Sequence, residues 1–251
     1  MSRRNSIHET LAVAKTPKGL ASLIDLTNLR PEATREQIAR LCADAREYSF
    51  GAVMVNACHT EFAAQQLHGS SVKAGVVVGF PLGATLPGVK SFETKEALHR
   101  GAQEIDMVIN IGALKDGERD FVWSEIRALA ELCRGSEALL KVILETGLLT
   151  DDEKRLACEL SEKAGADFVK TSTGFLGGGA TAGDVALMRK HFSKGVKASG
   201  GIRTLADARA MIEAGATRLG VSGGVALVRE LESEPSGTAG DRHPSQSGPS
   251  S

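Results

Sequence analysis

Short apolar runs rich in valine, isoleucine and leucine recur along the chain, and between them lie longer stretches in which apolar residues return every three or four positions. The runs are SLIDLT, AVMVN, KAGVVVGF, EIDMVIN, LLKVILET, DFVKTS, GVKASG and RLGVSG. Runs of this length predict strands buried on both faces, and the three-to-four spacing between them predicts amphipathic helices. In TREQIARLCADA, Thr34 is placed as N-cap with Gln37 as its capping-box partner, while Ile38, Leu41, Cys42 and Ala45 share one face. Thr150 and Glu153 repeat that device, and Asp120 is expected to open a helix carrying Val122, Ile126, Leu129, Ala130 and Cys133. Three helix exits look alike, with Gly101, Gly165 and Gly215 each followed by alanine and then a strand.

A strand followed by a helix, eight times over, predicts a single-domain (β/α)8 TIM barrel spanning residues 20–232. An open doubly wound sheet is the alternative fold, but the glycine fingerprint expected after its first strand is missing. Residues 1–19 are read as an N-terminal extension; they lack the apolar segment of a secretory signal. Residues 233–251, SEPSGTAGDRHPSQSGPSS, hold almost nothing that could pack, which predicts a disordered C-terminal tail.

Composition narrows the partners. With 251 residues and 42% hydrophobic content, the chain can bury a sizeable core. A formal net charge of −1 with interspersed signs offers no field for nucleic acid or an anionic membrane. The apolar runs are far shorter than the roughly 20 residues a spanning helix needs, so neither partner is expected. Cys42, Cys58, Cys133 and Cys158 show no CxxC spacing, which suits reduced thiols in a cytoplasmic protein. Cys58 and His59 are adjacent and diverge, and the histidines have no HxH or HxxxH spacing, so no metal and no other cofactor is expected.

A barrel of this kind places its chemistry at the C-terminal strand ends. Polar residues there are Asp25, Asn56, Asp106, Lys141, Lys170 and Lys197. One such lysine is as readily a rim residue reaching solvent, but three on three strands exceed what an apolar interior tolerates. A lysine buried near a second cation loses proton affinity, which frees its amine to attack a carbonyl. Lys170 is therefore a Schiff-base candidate, with Lys197 as the neighbouring cation and Asp106 as proton carrier. Asp25, Asn56 and Lys141 are assigned to substrate contact. Gly200 and Gly201 in one loop, Ser222 and Gly223 in the next, and Thr173 and Gly174 in TSTGFLGGG are candidates for phosphate, though each could be a simple turn.

In order, GFPLGAT, EIDMVINIGALKDG, LKVILETGLLT, VKTSTGF and KASGGIRT resemble the deoxyribose-phosphate aldolase family over about residues 21 to 230. The resemblance implies a class I, metal-free aldolase that reversibly cleaves 2-deoxy-D-ribose 5-phosphate to D-glyceraldehyde 3-phosphate and acetaldehyde. It makes Lys170 the Schiff-base lysine and Asp106 with Lys197 the proton-relay pair. It is read here with the C3–C4 bond as the one that breaks. A homo-oligomer is compatible with it. Two departures stand out: Ser222-Gly223 where the family has two serines, and VNA at 55–57 where VNP is usual. Another phosphate-binding barrel enzyme, whether a different Schiff-base aldolase or a sugar-phosphate isomerase, and a non-catalytic sugar-phosphate binding protein are the rival expectations.

Overall fold

Each predicted run forms a strand, and the strands pair in parallel in chain order until the last closes on the first, giving a closed barrel. They are β1 (Ile24–Asn28), β2 (Ala52–Val55), β3 (Lys73–Val78), β4 (Glu104–Val108), β5 (Leu139–Ile143), β6 (Phe168–Lys170), β7 (Gly195–Ser199) and β8 (Arg218–Val221). The computed structural model describes residues 7–234. Two helices precede the barrel, α1 (Ile7–Val13) and α2 (Pro17–Ser22). Then come α3 (Arg35–Tyr48), α4 (Thr60–Leu67), α5 (Pro87–His99), α6 (Ile111–Lys115), α7 (Arg119–Gly135) and α8 (Asp151–Ala164). The series ends with α9 (Ala182–His191), α10 (Leu205–Glu213) and α11 (Gly224–Ser233).

Local chemistry sets the helix ends. Thr34 caps α3 and Thr150 caps α8, each in a full capping box with Gln37 or Glu153. The segment containing Asp120 starts differently from the expectation: Glu118 precedes α7 without a side-chain cap, and Asp120 lies inside the first turn, where its charge favours the helix dipole. Gly101, Gly165 and Gly215 all hold positive φ (94°, 92° and 111°), the left-handed exit that a side chain would disfavour.

Residues 7–19 of the expected N-terminal extension form α1 and the first turn of α2. Thr16 caps α2, whose Leu20 and Ala21 are buried in the main core; α2 packs on α11 and α1 on α10. At the other end Ser233 closes α11, and Glu234 accepts two hydrogen bonds from Arg209 (2.7 and 2.6 Å). The remainder of the expected disordered tail, residues 235–251, and residues 1–6 lie outside the described residues.

Apolar packing is divided in two. One large cluster fills the layer between the outer strand faces and the helices, with Ile105, Met107, Val142 and Val169 among its strand members. A small one, Leu29, Met54 and Val77 with Phe80 against it, occupies the barrel interior on the β1–β3 side. Toward β4–β8 the interior carries a cluster of buried charges. Among the described residues no helix is long and apolar enough to cross a membrane.

Candidate active site

Strand alternation places residues two apart on the same face, so Glu104 and Asp106 of β4 both point inward, as do Lys197 and Ser199 of β7. Register brings Asp106 level with Lys141, and Lys170 level with Lys197. The result is a buried cluster in two tiers. In the lower tier, toward the strand N-termini, Lys141 Nζ lies 2.6 Å from Glu104, 2.7 Å from Asp106 and 3.7 Å from Asp25. Arg218 joins it, bonding Asp25 at 2.7 Å and Glu104 at 3.2 Å. In the upper tier Lys170 Nζ donates to Asp106 Oδ2 at 2.9 Å, and Lys197 Nζ donates to the same oxygen at 2.8 Å while also bonding Asp25. A glycine is required at 220, because a Cβ there would lie 3.0 Å from Lys197 Cε and closer still to Ser199 Oγ.

Three carboxylates thus face four cations, and one cation is in excess. The contacts identify which. Lys141 has three acids and Lys197 two, whereas Lys170 has only Asp106. Burial accordingly pulls Lys170 down from 10.5 to about 8; the attraction of Asp106 opposes this, and Lys197 and then Lys141 add to the fall. For Lys141 burial acts in the same direction but Asp106, Glu104 and Asp25 outweigh it, so its proton affinity rises. Burial would raise Asp106, yet Lys141, Lys170 and Lys197 hold it well below the usual carboxylate range. Asp25 is likewise lowered, by Arg218, Lys197 and Lys141 against its burial.

Above this cluster opens a cavity of about 270 Å³, lined by Thr27, Leu29, Lys170, Thr173, Gly174, Ser199, Gly200, Gly201, Ile202, Arg203, Gly220, Val221 and Ser222. Lys170 is the one member of the buried cluster that reaches it. A larger groove of about 450 Å³ between α1 and α10 is lined by His8, Lys15, Arg209 and Glu213, all exposed and remote from the strand ends. Size therefore does not select the site; the convergence of buried charge on one opening does.

The structure sorts the sequence candidates. Lys170, Thr173, Gly174, Gly200, Gly201 and Ser222 line one cavity, and Asp106 and Lys197 lie directly beneath Lys170. Asp25 and Lys141 differ from the expectation: they are buried in the lower tier, sealed from the cavity, and touch ions of the chain itself. Asn56 also points elsewhere, donating from Nδ2 to the Leu29 carbonyl at 3.1 Å, which secures the loop after β1. Gly223 precedes α11 beyond the cavity wall, exposed, with φ −97°. Thr173 lines the cavity, but its N–H and its hydroxyl both donate to Glu145.

Sequence reasoning missed Glu104, Arg218, Arg203 and Glu145. Glu104 was legible, since it stands two residues before Asp106 and shares its face, and Arg218 stands likewise two before Gly220. Arg203 adds a cation beside Gly200 and Gly201, where an anionic group could be held. Among the described residues no three His, Cys, Asp or Glu side chains are placed to hold a metal ion.

Comparison with known proteins places the chain among aldolases. Residues 20–231 match the family described as DeoC/LacD family aldolase. The deoxyribose-phosphate aldolase of Halalkalibacterium halodurans is 57% identical over 220 residues, 86% of this chain and 98% of that protein. Its counterpart from Streptococcus gordonii is 58% identical over 212 residues, 84% of this chain and 96% of the relative. The solved structure of deoxyribose phosphate aldolase from Aeropyrum pernix, described as tetrameric, has a TM-score of 0.84 at 34% identity, covering 93% of this chain and 99% of that one. With the family matched over nearly the whole barrel and relatives more than half identical along almost their full length, the chain belongs to the DeoC/LacD aldolase family.

Proposed function

We propose that the protein is a class I aldolase that reversibly cleaves 2-deoxy-D-ribose 5-phosphate into D-glyceraldehyde 3-phosphate and acetaldehyde through an imine on Lys170. The observation that carries the reading is Lys170 itself, the excess cation of a buried cluster, lowered to about 8 and opening on a cavity. The deoxyribose-phosphate aldolases at 57–58% identity support the substrate.

The neutral amine of Lys170 adds to C1 of the open-chain sugar, and loss of water gives the iminium. The C3 hydroxyl then gives up its proton through a water to the Asp106–Lys197 pair, the C2–C3 bond breaks, and its electrons flow into the iminium to leave an enamine. Atom balance places the break at C2–C3 and not at C3–C4, because acetaldehyde carries off C1 and C2 and glyceraldehyde phosphate keeps three carbons. The same pair returns a proton to C2, and water releases acetaldehyde and free Lys170. At the far end of the cavity, Arg203, Ser222 and the backbone N–H groups near Gly174, Gly200 and Gly201 supply donors for the phosphate.

Phosphorylated sugars do not cross membranes unaided, which supports a cytoplasmic site of action. The tetramer of the Aeropyrum pernix relative supports self-association. Borohydride reduction in the presence of acetaldehyde, followed by peptide mass mapping, tests the reading: the adduct is expected on Lys170, and an adduct on another lysine overturns it.

A further inference from the structure

Just beyond β5, Glu145 is buried and holds a left-handed backbone (φ 58°, ψ 61°) that side chains other than those of glycine and asparagine rarely adopt. Its Oε2 accepts from the Thr173 N–H at 3.1 Å and from the Thr173 hydroxyl, and Thr173 Oγ1 in turn accepts from the Phe175 N–H at 3.1 Å. The neighbouring peptide groups secure the same segment. Leu144 N–H donates to the Lys170 carbonyl and Thr146 N–H to the Thr171 carbonyl, both at 2.9 Å.

An acid this close to a subsite for an anion is electrostatically adverse, so its presence calls for a compensating role. The loop supplies one. Gly174, Gly177 and Gly178 all have positive φ and no side chains, and among the described residues the edge-on contact of the half-exposed Phe175 ring with Phe80 is the one ring contact of the segment, so a loop without further ties would sample many conformations. Its far end is fixed by Ala180 N–H, which donates to the Gly200 carbonyl at 3.0 Å. Its near end is fixed by Glu145.

The geometry points to Glu145 as a positioning residue that clamps Thr173, holds Gly174 in the cavity wall beside Gly200, and so sets affinity for the phosphate end of the substrate. The inference rests on the sugar-phosphate reading above. Glu145 touches neither Lys170 Nζ nor the cavity, so its action runs through the loop and not through the chemistry.

Two substitutions separate the clamp from general structure. Glu145→Met keeps the volume and removes the acceptor, whereas Glu145→Gln keeps an acceptor. On 2-deoxyribose 5-phosphate, E145M is expected to raise KM about tenfold or more with kcat within about threefold, and E145Q to stay within about threefold in both. On unphosphorylated 2-deoxyribose, kcat/KM of E145M should fall by less than about threefold, because no phosphate is there to be positioned. Equal losses on both sugars, or E145Q as impaired as E145M, overturn the inference. Hydrogen exchange of the Thr173 and Phe175 amides gives a readout independent of turnover: about tenfold faster exchange in E145M is expected, and unchanged exchange overturns the clamp. If the wild-type protein fails to cleave the sugar phosphate, the functional reading falls while exchange still decides the clamp. Should E145M not fold, Thr173→Val removes the hydroxyl arm of the clamp from the other side; because Thr173 lines the cavity, amide exchange of Phe175 is the readout there, and unchanged exchange overturns the clamp.

Discussion

At the lower end of the barrel interior Lys141 is enclosed by Glu104, Asp106 and Asp25, while at the upper end Lys170 has Asp106 alone and shares that oxygen with Lys197. Both lysines are buried, they sit on adjacent strands, and each follows an apolar run. Burial penalises both ammonium groups, yet Lys141 is raised and Lys170 lowered to about 8. Burial lowers both, and the number of carboxylates within reach decides whether that fall is outweighed. Lys90 extends the comparison outside the barrel. Fully buried and paired with Glu125 at 2.8 Å, it is lowered chiefly by burial, but it lines none of the cavities described. Lowered proton affinity alone therefore does not make a nucleophile; an opening to substrate is also needed.

Removing Lys170 gives the largest effect. Lys170→Ala should abolish turnover and the borohydride-trapped adduct, and residual adduct elsewhere would show that another lysine reaches the cavity. The fold should tolerate Lys170→Met, because the three carboxylates then face three cations. The pH dependence has a definite sign. Lys170 is lowered from 10.5 to about 8, so below pH 8 it is protonated in both states and the full penalty of burying its charge is present. Between about pH 8 and 10.5 the unfolded chain binds the extra proton, so stability attributable to Lys170 rises with pH, and the gap between wild type and K170M should shift in favour of wild type across that window. Denaturant unfolding at several pH values measures it; a gap that does not move would mean that Lys170 keeps its proton.

Lys141→Met should act in the opposite manner. It leaves Glu104 and Asp106 buried without their nearest cation, and breaking a buried pair costs about 3–5 kcal/mol, read as a loss of unfolding free energy. Lys197→Leu is expected to cost less stability, since Asp106 retains Lys141 and Asp25 retains Arg218. Its effect falls on chemistry. With one cation removed, charge balance is met when Lys170 stays protonated, so the basic limb of imine formation should move to higher pH and proton return to C2 should slow. A limb that stays near pH 8 would show that Lys197 does not contribute and leave burial and Lys141 as the causes of the lowered value.

The two tiers also differ in how much the sequence reveals. The eight runs gave all eight strands, because β-branched apolar stretches bounded by glycine and polar residues have few other structures open to them. Lys170 and Lys197 were readable as neighbours because consecutive strands of a closed parallel barrel must lie side by side, and register does pair them. Height along the barrel was not readable. Asp25 and Lys141 interrupt apolar runs just as Lys170 does, but their depth depends on where each strand begins and on stagger between strands, which a single run does not encode. The same gap hid Glu145, whose role requires that the ends of β5 and β6 be brought together in space.

The smallest expected effect concerns Gly223, where the family pattern has a serine. It holds φ −97°, a conformation open to any residue, and a Cβ built there meets nothing within 4 Å, so a serine adds neither backbone strain nor a clash. Ser222 beside it lines the cavity wall, which puts a hydroxyl at 223 one residue from the donors proposed for phosphate. One hydrogen bond to a charged group contributes about 1.5–3 kcal/mol at best, and less where water competes. Because the phosphate is held alike before and during bond cleavage, Gly223→Ser should lower KM for 2-deoxyribose 5-phosphate with kcat nearly unchanged. Unphosphorylated 2-deoxyribose should gain nothing. Steady-state kinetics on the two sugars decides the matter: equal gains on both, or a change in kcat at constant KM, would separate residue 223 from the upper tier and its cavity.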